Sequence, residues 1–135
     1  MSENNNIPEN YRYTKEHEWI KRDENNDHIA IIGITDFAQE ALGDVVHVEM
    51  PAIGDQVETD DEIAVVESAK SASEIYAPLS GKIIEVNCGL DSVPEKINQS
   101  PYESGWILKI EMDDPDELDH LLSPDGYSHF LEEEH

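Results

Sequence analysis

Apolar residues along this chain come in short, β-branched groups, each closed off by Pro, Gly, Asp or Asn. The stretch "HEWIKRDENNDHIAIIGI" (17–34) reads as a hairpin, with strands at 19–21 and 29–34 and a polar turn at 23–27. In "TDFAQEALG" (35–43) the pattern turns helical, with Thr35 placed as N-cap and Gly43 just beyond the end. Strand-like segments follow at 45–49, 62–67, 74–77, 82–86 and 106–111. Short strands bounded by turn residues predict a mainly β fold, a sandwich or flattened barrel of two small antiparallel sheets.

From about Asp114 the pattern becomes helical again. "DDPDELDHLLS" predicts a helix with Asp114 as N-cap, Pro115 at the first position and Glu117 closing a capping box. "SPDGYSHFLEEE" repeats the device with Ser123 and Pro124, and Leu118, Leu121, Leu122, Tyr127, Phe130 and Leu131 form an apolar stripe that can pack on a sheet. Residues 1–10 are polar and are expected to be a flexible segment ahead of one domain spanning 11–135. A faint echo links "GDVVHV" (43–48) and "GKIIEV" (81–86), with Lys70 between the copies. Two similar half-sheets joined by a hairpin would place that lysine at an extreme tip.

Charge narrows the function classes. The 135 residues hold 32 Asp and Glu against 8 Lys and Arg, a net charge of −24. Such a field repels phosphate backbones and anionic lipid, which argues against nucleic-acid and membrane-surface roles. It either steers the chain towards electropositive patches on partner proteins or simply keeps it in solution, and charge alone does not separate the two. The one cysteine, Cys88, cannot form an intrachain disulfide and fits a reducing compartment as a free structural thiol. No apolar run approaches a membrane span, and the N-terminus resembles neither a secretory signal nor a presequence. A cytoplasmic location is expected, or the mitochondrial matrix if a presequence has been removed.

Most candidate chemistry fails on inspection. Asp23, Asn25 and Asp27 open a calcium-loop spacing, but His28 replaces the required glycine and Ile34 the final glutamate, so a solvated turn is expected. The six His residues include no pair at metal-ligand helical spacing. No phosphate loop, dinucleotide fingerprint or nucleophile elbow appears, and Ser68 beside Lys70 lacks the surroundings of a nucleophile. Catalysis by this chain is not expected. Lys70 remains: Glu67 and Glu74 flank it, its neighbours Ala69, Ser71 and Ala72 are small, and Pro78 and Gly81 end the following strand. Small neighbours on a hairpin tip leave an amine open to a modifying enzyme, and acylation would remove its charge.

The segment from Glu67 to Gly81, "ESAKSASEIYAPLSG", resembles the lipoyl-lysine segment of lipoyl-carrier domains. "YTKEHEW" (13–19), "IGITDFAQEALGDVVHVEMPAIGD" (32–55), "NQSPYESGWILKI" (98–110) and "LLSPDGYSHFLEEE" (121–134) narrow the resemblance to the H-protein family of the glycine cleavage system. The resemblance runs from about Tyr11 to the end. It implies a hybrid lipoyl-domain fold with C-terminal helices, and one lipoate in amide linkage on Lys70. It implies three enzyme partners for the arm. A pyridoxal phosphate-dependent glycine decarboxylase loads an aminomethyl group, a tetrahydrofolate-dependent aminomethyltransferase removes its carbon and releases ammonia, and dihydrolipoamide dehydrogenase reoxidises the dithiol. Lipoylating enzymes would recognise Glu67, Ala69 and Ser71. The carrier itself catalyses no step, and a monomer is expected because the arm must enter several active sites. The family folds the loaded arm into a cleft on the carrier, for which Glu18, Trp19 and Glu74 are the candidates, the two carboxylates pairing with the ammonium. The competing readings are core packing for Trp19, which is the favoured reading of that residue, and a solvated strand carboxylate for Glu18. Alternatives are a lipoyl carrier that relays lipoate to other complexes, and a biotinyl-type carrier, whose lysine usually sits between methionines instead of Ala69 and Ser71.

Overall fold

The computed structural model of the chain describes residues 7–134, so the expected flexible segment, 1–10, lies outside the described residues up to position 6. Beyond it, Ile7 packs on an aromatic cluster, and the Tyr13 hydroxyl donates to the Pro8 carbonyl at 2.7 Å.

Strands form wherever β-branched runs alternate with polar residues. In chain order they are β1 (Arg12–Tyr13), β2 (Glu18–Asp23), β3 (Asn26–Ile34), β4 (Val45–Glu49) and β5 (Gln56–Val57). β6 (Glu62–Ser68), β7 (Ala72–Tyr76), β8 (Gly81–Val86) and β9 (Leu108–Met112) complete the set among the described residues. A six-stranded sheet runs β1-β2-β3-β9-β8-β5, and a three-stranded sheet runs β4-β6-β7. Every pairing is antiparallel. The two sheets remain separate instead of closing into one barrel. The echoed segments fall in β4 and β8, one in each sheet, but the sheets are unequal and the echo does not mark equivalent halves.

Local signals set the helix α1 (Asp36–Leu42): Thr35 Oγ1 accepts from the Ala38 amide at 3.2 Å, and Gly43 ends it at φ +85°. The turn at 23–27 is a backbone device, in which Asp23 Oδ1 accepts from the Asn25 amide at 2.8 Å. Two short helices, α2 (Gly89–Ser92) and α3 (Lys96–Gln99), are too brief to leave a period in the sequence. The first expected tail helix is a 3-10 helix at Pro115–His120, and its capping box does not close. Glu117 Oε1 instead accepts from the Ser80 amide at 3.0 Å, a tertiary donor that local sequence cannot reveal. In α4 (Pro124–Glu134) Ser123 Oγ accepts from the Gly126 amide at 3.0 Å, as a cap should.

Inward residues of both sheets, among them Ile20, Ile32, Val48, Val66, Ile75 and Ile83, form the main core. A second cluster joins Tyr11, Tyr13, Trp19, Tyr127 and Leu131 where α4 meets β1 and β2. There the rings of Tyr13 and Tyr127 stack at 4.7 Å, and Tyr13 exchanges two backbone bonds with Leu122 at 2.9 and 2.8 Å.

Trp19 faces Gly33 across the β2–β3 ladder, and a Cβ on Gly33 would lie 2.6 Å from its indole ring. Gly33→Ala must therefore displace a ring that also donates to the Pro101 carbonyl at 2.8 Å. The expected cost is about 2–3 kcal/mol, read as a lowered urea midpoint at unchanged m-value, with altered tryptophan fluorescence.

Candidate functional site

Strands β6 and β7 are joined by residues 69–71, and the Ser68 hydroxyl organises this turn. Ser68 Oγ accepts from the amides of Lys70 at 3.3 Å and Ser71 at 3.1 Å, and donates to the Ser71 carbonyl at 3.1 Å. The Ala69 amide donates to the Asp44 carbonyl at 3.1 Å, tying the tip to the junction of α1 and β4. Short side-chain-to-backbone bonds of this kind fix a turn that glycine would leave loose. Lys70 is exposed on this rigid base, as are Ala69 and Ser71, and among the described residues no carboxylate pairs with its amine. Its carbon stem lies over the end of α1, since a Cβ on Gly43 would sit 3.4 Å from Lys70 Cε.

Beside the hairpin lies a cleft of about 250 Å³. Phe37, Ala38 and Ala41 of α1 form one wall, Ser71 and Ser73 another, and Glu16 and His17 the end. His17 takes a left-handed backbone, φ +67°, fixed by its amide to the Thr14 carbonyl at 3.1 Å and by its carbonyl to the Thr35 amide at 3.0 Å. Both flanking acids sit on the outward face of the small sheet. Glu67, half-buried, lies between His47 and Ala72 across the ladder, while exposed Glu74 lies opposite Val65.

Glu18 is turned inward. Only 1% exposed, its carboxylate accepts from the Tyr76 amide of β7 at 2.7 Å and from the Thr14 hydroxyl at 3.3 Å. Burial pushes its carboxyl up to about 8, and the Glu16 and Asp60 carboxylates add to the rise against the opposing Tyr76 and Thr14 bonds. It borders a second cavity of about 280 Å³ with Thr14, Glu16, Asp60 and His120. Trp19 borders neither cavity. It lies in the core, 1% exposed, its ring 5.0 Å from that of Tyr11. The expected group of Glu18, Trp19 and Glu74 is thus divided among the junction of the sheets, the core and the outer face.

This arrangement can present an amine on a fixed tip and shelter an aliphatic arm next to it. The family model for the glycine cleavage H-protein matches residues 11–134. The chain belongs to the glycine cleavage H-protein family. It is 51% identical over 128 residues to the glycine cleavage system H protein of Carboxydothermus hydrogenoformans, covering 95% of this chain and 96% of that one. An Anaeromyxobacter H protein is also 51% identical over 128 residues, with 95% and 98% covered. The crystal structure of a glycine cleavage system H protein from Mycobacterium marinum superposes with a TM-score of 0.81 at 34% identity, covering 95% of this chain and 98% of that one. The relay and biotinyl alternatives are not favoured by these matches.

Sequence reasoning missed the turn-organising role of Ser68 and the cleft residues Glu16, His17 and Phe37. A serine two positions before a tip lysine is a legible turn signal. The cleft is not, because three separated segments of this H-protein chain converge to make it.

The raised Glu18 carboxyl has a consequence for stability. Between its ordinary 4.5 and about 8, the folded state holds a proton that the unfolded chain has lost. That contribution is complete below 4.5 and disappears as pH rises through about 8. Glu18→Gln keeps an acceptor for the Tyr76 amide and never ionises. Its urea midpoint relative to wild type is expected to climb between pH 5 and pH 9, and parallel curves would contradict the assignment.

Proposed function

We propose that this chain carries one lipoate in amide linkage on Lys70 and serves as the shuttle of the glycine cleavage system. One observation carries the reading: an exposed lysine on a hairpin pinned by Ser68 and Asp44, immediately beside a cleft with an apolar wall. The group fits the residues present, since Phe37, Ala38 and Ala41 can cover an aliphatic arm while Glu16 and His17 meet a polar end. Lipoate would supply a redox-active dithiolane able to accept a one-carbon amine.

The chain's own part is to present, shelter and dock. Ala69 and Ser71 leave the amine open to a lipoylating enzyme, and Glu67 adds charge for its recognition. Glu18 and Glu74, neither of which lines the cleft beside Lys70, would supply negative charge for the ammonium of a loaded arm that reaches past it. A carboxylate offers about four acceptor sites, so the two bonds made by Glu18 do not exhaust it. The net charge of −24 suits repeated, transient docking on electropositive surfaces of the decarboxylase, the aminomethyltransferase and dihydrolipoamide dehydrogenase. The carrier is a non-catalytic monomer in this reading, working in the bacterial-type cytoplasm.

Intact mass after expression with lipoate tests the attachment point. Wild type gains a single lipoyl adduct, Lys82→Arg keeps it and Lys70→Arg loses it; an unmodified wild type, or an adduct that survives Lys70→Arg, rejects the proposal. Ammonia release from the loaded protein without the transferase tests the carboxylates. Glu18→Gln and Glu74→Gln are each expected to speed it several-fold, roughly the loss of one charge-assisted hydrogen bond, and an unchanged rate removes that residue from the role.

A further inference from the structure

Tyr127 lies in α4, 57 positions beyond the lysine (127 − 70), and is fully buried. Its hydroxyl is 2.9 Å from His17 Nδ1 and 2.8 Å from Thr35 Oγ1. His17 lines the end of the cleft, and Thr35 caps the helix that forms the apolar wall. One hydroxyl from the C-terminal helix therefore joins two of the three segments that enclose the space beside Lys70.

Hydrogen-bond accounting gives this chain a direction. Thr35 is fully buried, and its oxygen already accepts from the Ala38 amide, so its hydroxyl hydrogen requires an acceptor. The Tyr127 oxygen provides one. The Tyr127 hydrogen then goes to the Nδ1 lone pair of His17, which places the ring proton on Nε2. In the reverse direction the Thr35 hydrogen has no acceptor among the described hydrogen bonds. Burial pushes the Tyr127 phenol up to about 12, with the Thr35 bond opposing, so the proton stays on the phenol at neutral pH. The left-handed backbone of His17 persists only where its surroundings over-determine it, and this bond is part of that constraint.

We propose that Tyr127 is a positioning residue for the cleft: through the Thr35–Tyr127–His17 relay it holds helix α1 and the 14–17 turn at the separation that shields the arm from water. The inference rests on the reading of Lys70 as the lipoyl site. Tyr127→Phe is a narrow test, because the ring stack on Tyr13, with an interplanar angle of 8°, needs no oxygen.

Wild type, Tyr127→Phe and Tyr13→Phe are compared in three measurements: lipoyl adduct by intact mass, ammonia release from the loaded protein without transferase, and the ring-nitrogen NMR shifts of His17. Tyr13→Phe is the control, since it removes a buried hydroxyl from the same aromatic cluster but one bonded to Pro8. Tyr127→Phe is expected to be lipoylated like wild type, to release ammonia on the order of five- to tenfold faster, and to lose the single Nε2–H tautomer. Tyr13→Phe is expected to keep the wild-type rate and tautomer. A lipoylated Tyr127→Phe releasing at the wild-type rate overturns the inference and leaves the Lys70 reading standing. Equal acceleration in Tyr13→Phe overturns it too, by making the effect one of general stability. An unmodified wild type rejects the Lys70 reading and this inference with it. If Tyr127→Phe does not fold, the wild-type spectrum still decides: a proton on Nδ1 of His17 reverses the chain and strands the buried Thr35 hydrogen, which overturns the relay as argued.

Discussion

The bond from the Tyr76 amide to the Glu18 carboxylate joins the two sheets by direct polar contact, strand to strand. β7 is an edge of the three-stranded sheet, and an edge strand leaves amides that need partners. Glu18, reaching from β2 of the other sheet, supplies one from a nearly dry position. Unlike apolar packing, which tolerates sliding, a buried carboxylate bonded at 2.7 Å fixes register between the layers. The lysine hairpin inherits that register. Its far strand is fastened at Tyr76, its tip at Asp44 and its turn by Ser68, so the base of Lys70 is fixed and only the side chain is left to move.

A fixed base with a mobile side chain would suit the proposed function, in which the modified residue enters several partners. Rigidity in the hairpin lowers the entropy lost on each docking event, while the flexible stem supplies reach. The same economy explains the surroundings of the tip. Ala69 and Ser71 are exposed and small, and the two flanking acids stand on the outer face, where their charge acts on approaching surfaces without sealing the amine.

What the sequence revealed divides along the range of the interactions. Thr35, Gly43 and Ser123 were legible as caps because each acts on residues within four positions of itself. The β runs were legible because alternation is local, and the hairpin lysine because its own neighbours mark it. Glu117 was misread for the opposite reason: its local pattern fits a capping box, but Ser80, 37 residues away, takes the carboxylate. Glu18 and Trp19 are adjacent in an alternating strand, so their side chains point to opposite faces, and one cannot share a cleft wall with the other. At this end of β2 both faces are covered, which the pattern "HEW" does not disclose. The cleft itself needs the 14–17 turn, α1 and the start of β7 in one place, a property of topology alone.

Glu18 also links charge to cargo in the proposed function. In the unloaded protein its burial favours the neutral acid near neutral pH, because an isolated buried carboxylate is costly. An ammonium brought close would reverse that balance, since an opposite charge within a few ångströms favours the ionised form. Loading would then release the Glu18 proton to solvent, and departure of the amine would restore it. The carrier would keep a buried charge only while there is a cation to neutralise it. A glutamine could accept from the Tyr76 amide equally well, but it could not change its charge with the state of the arm.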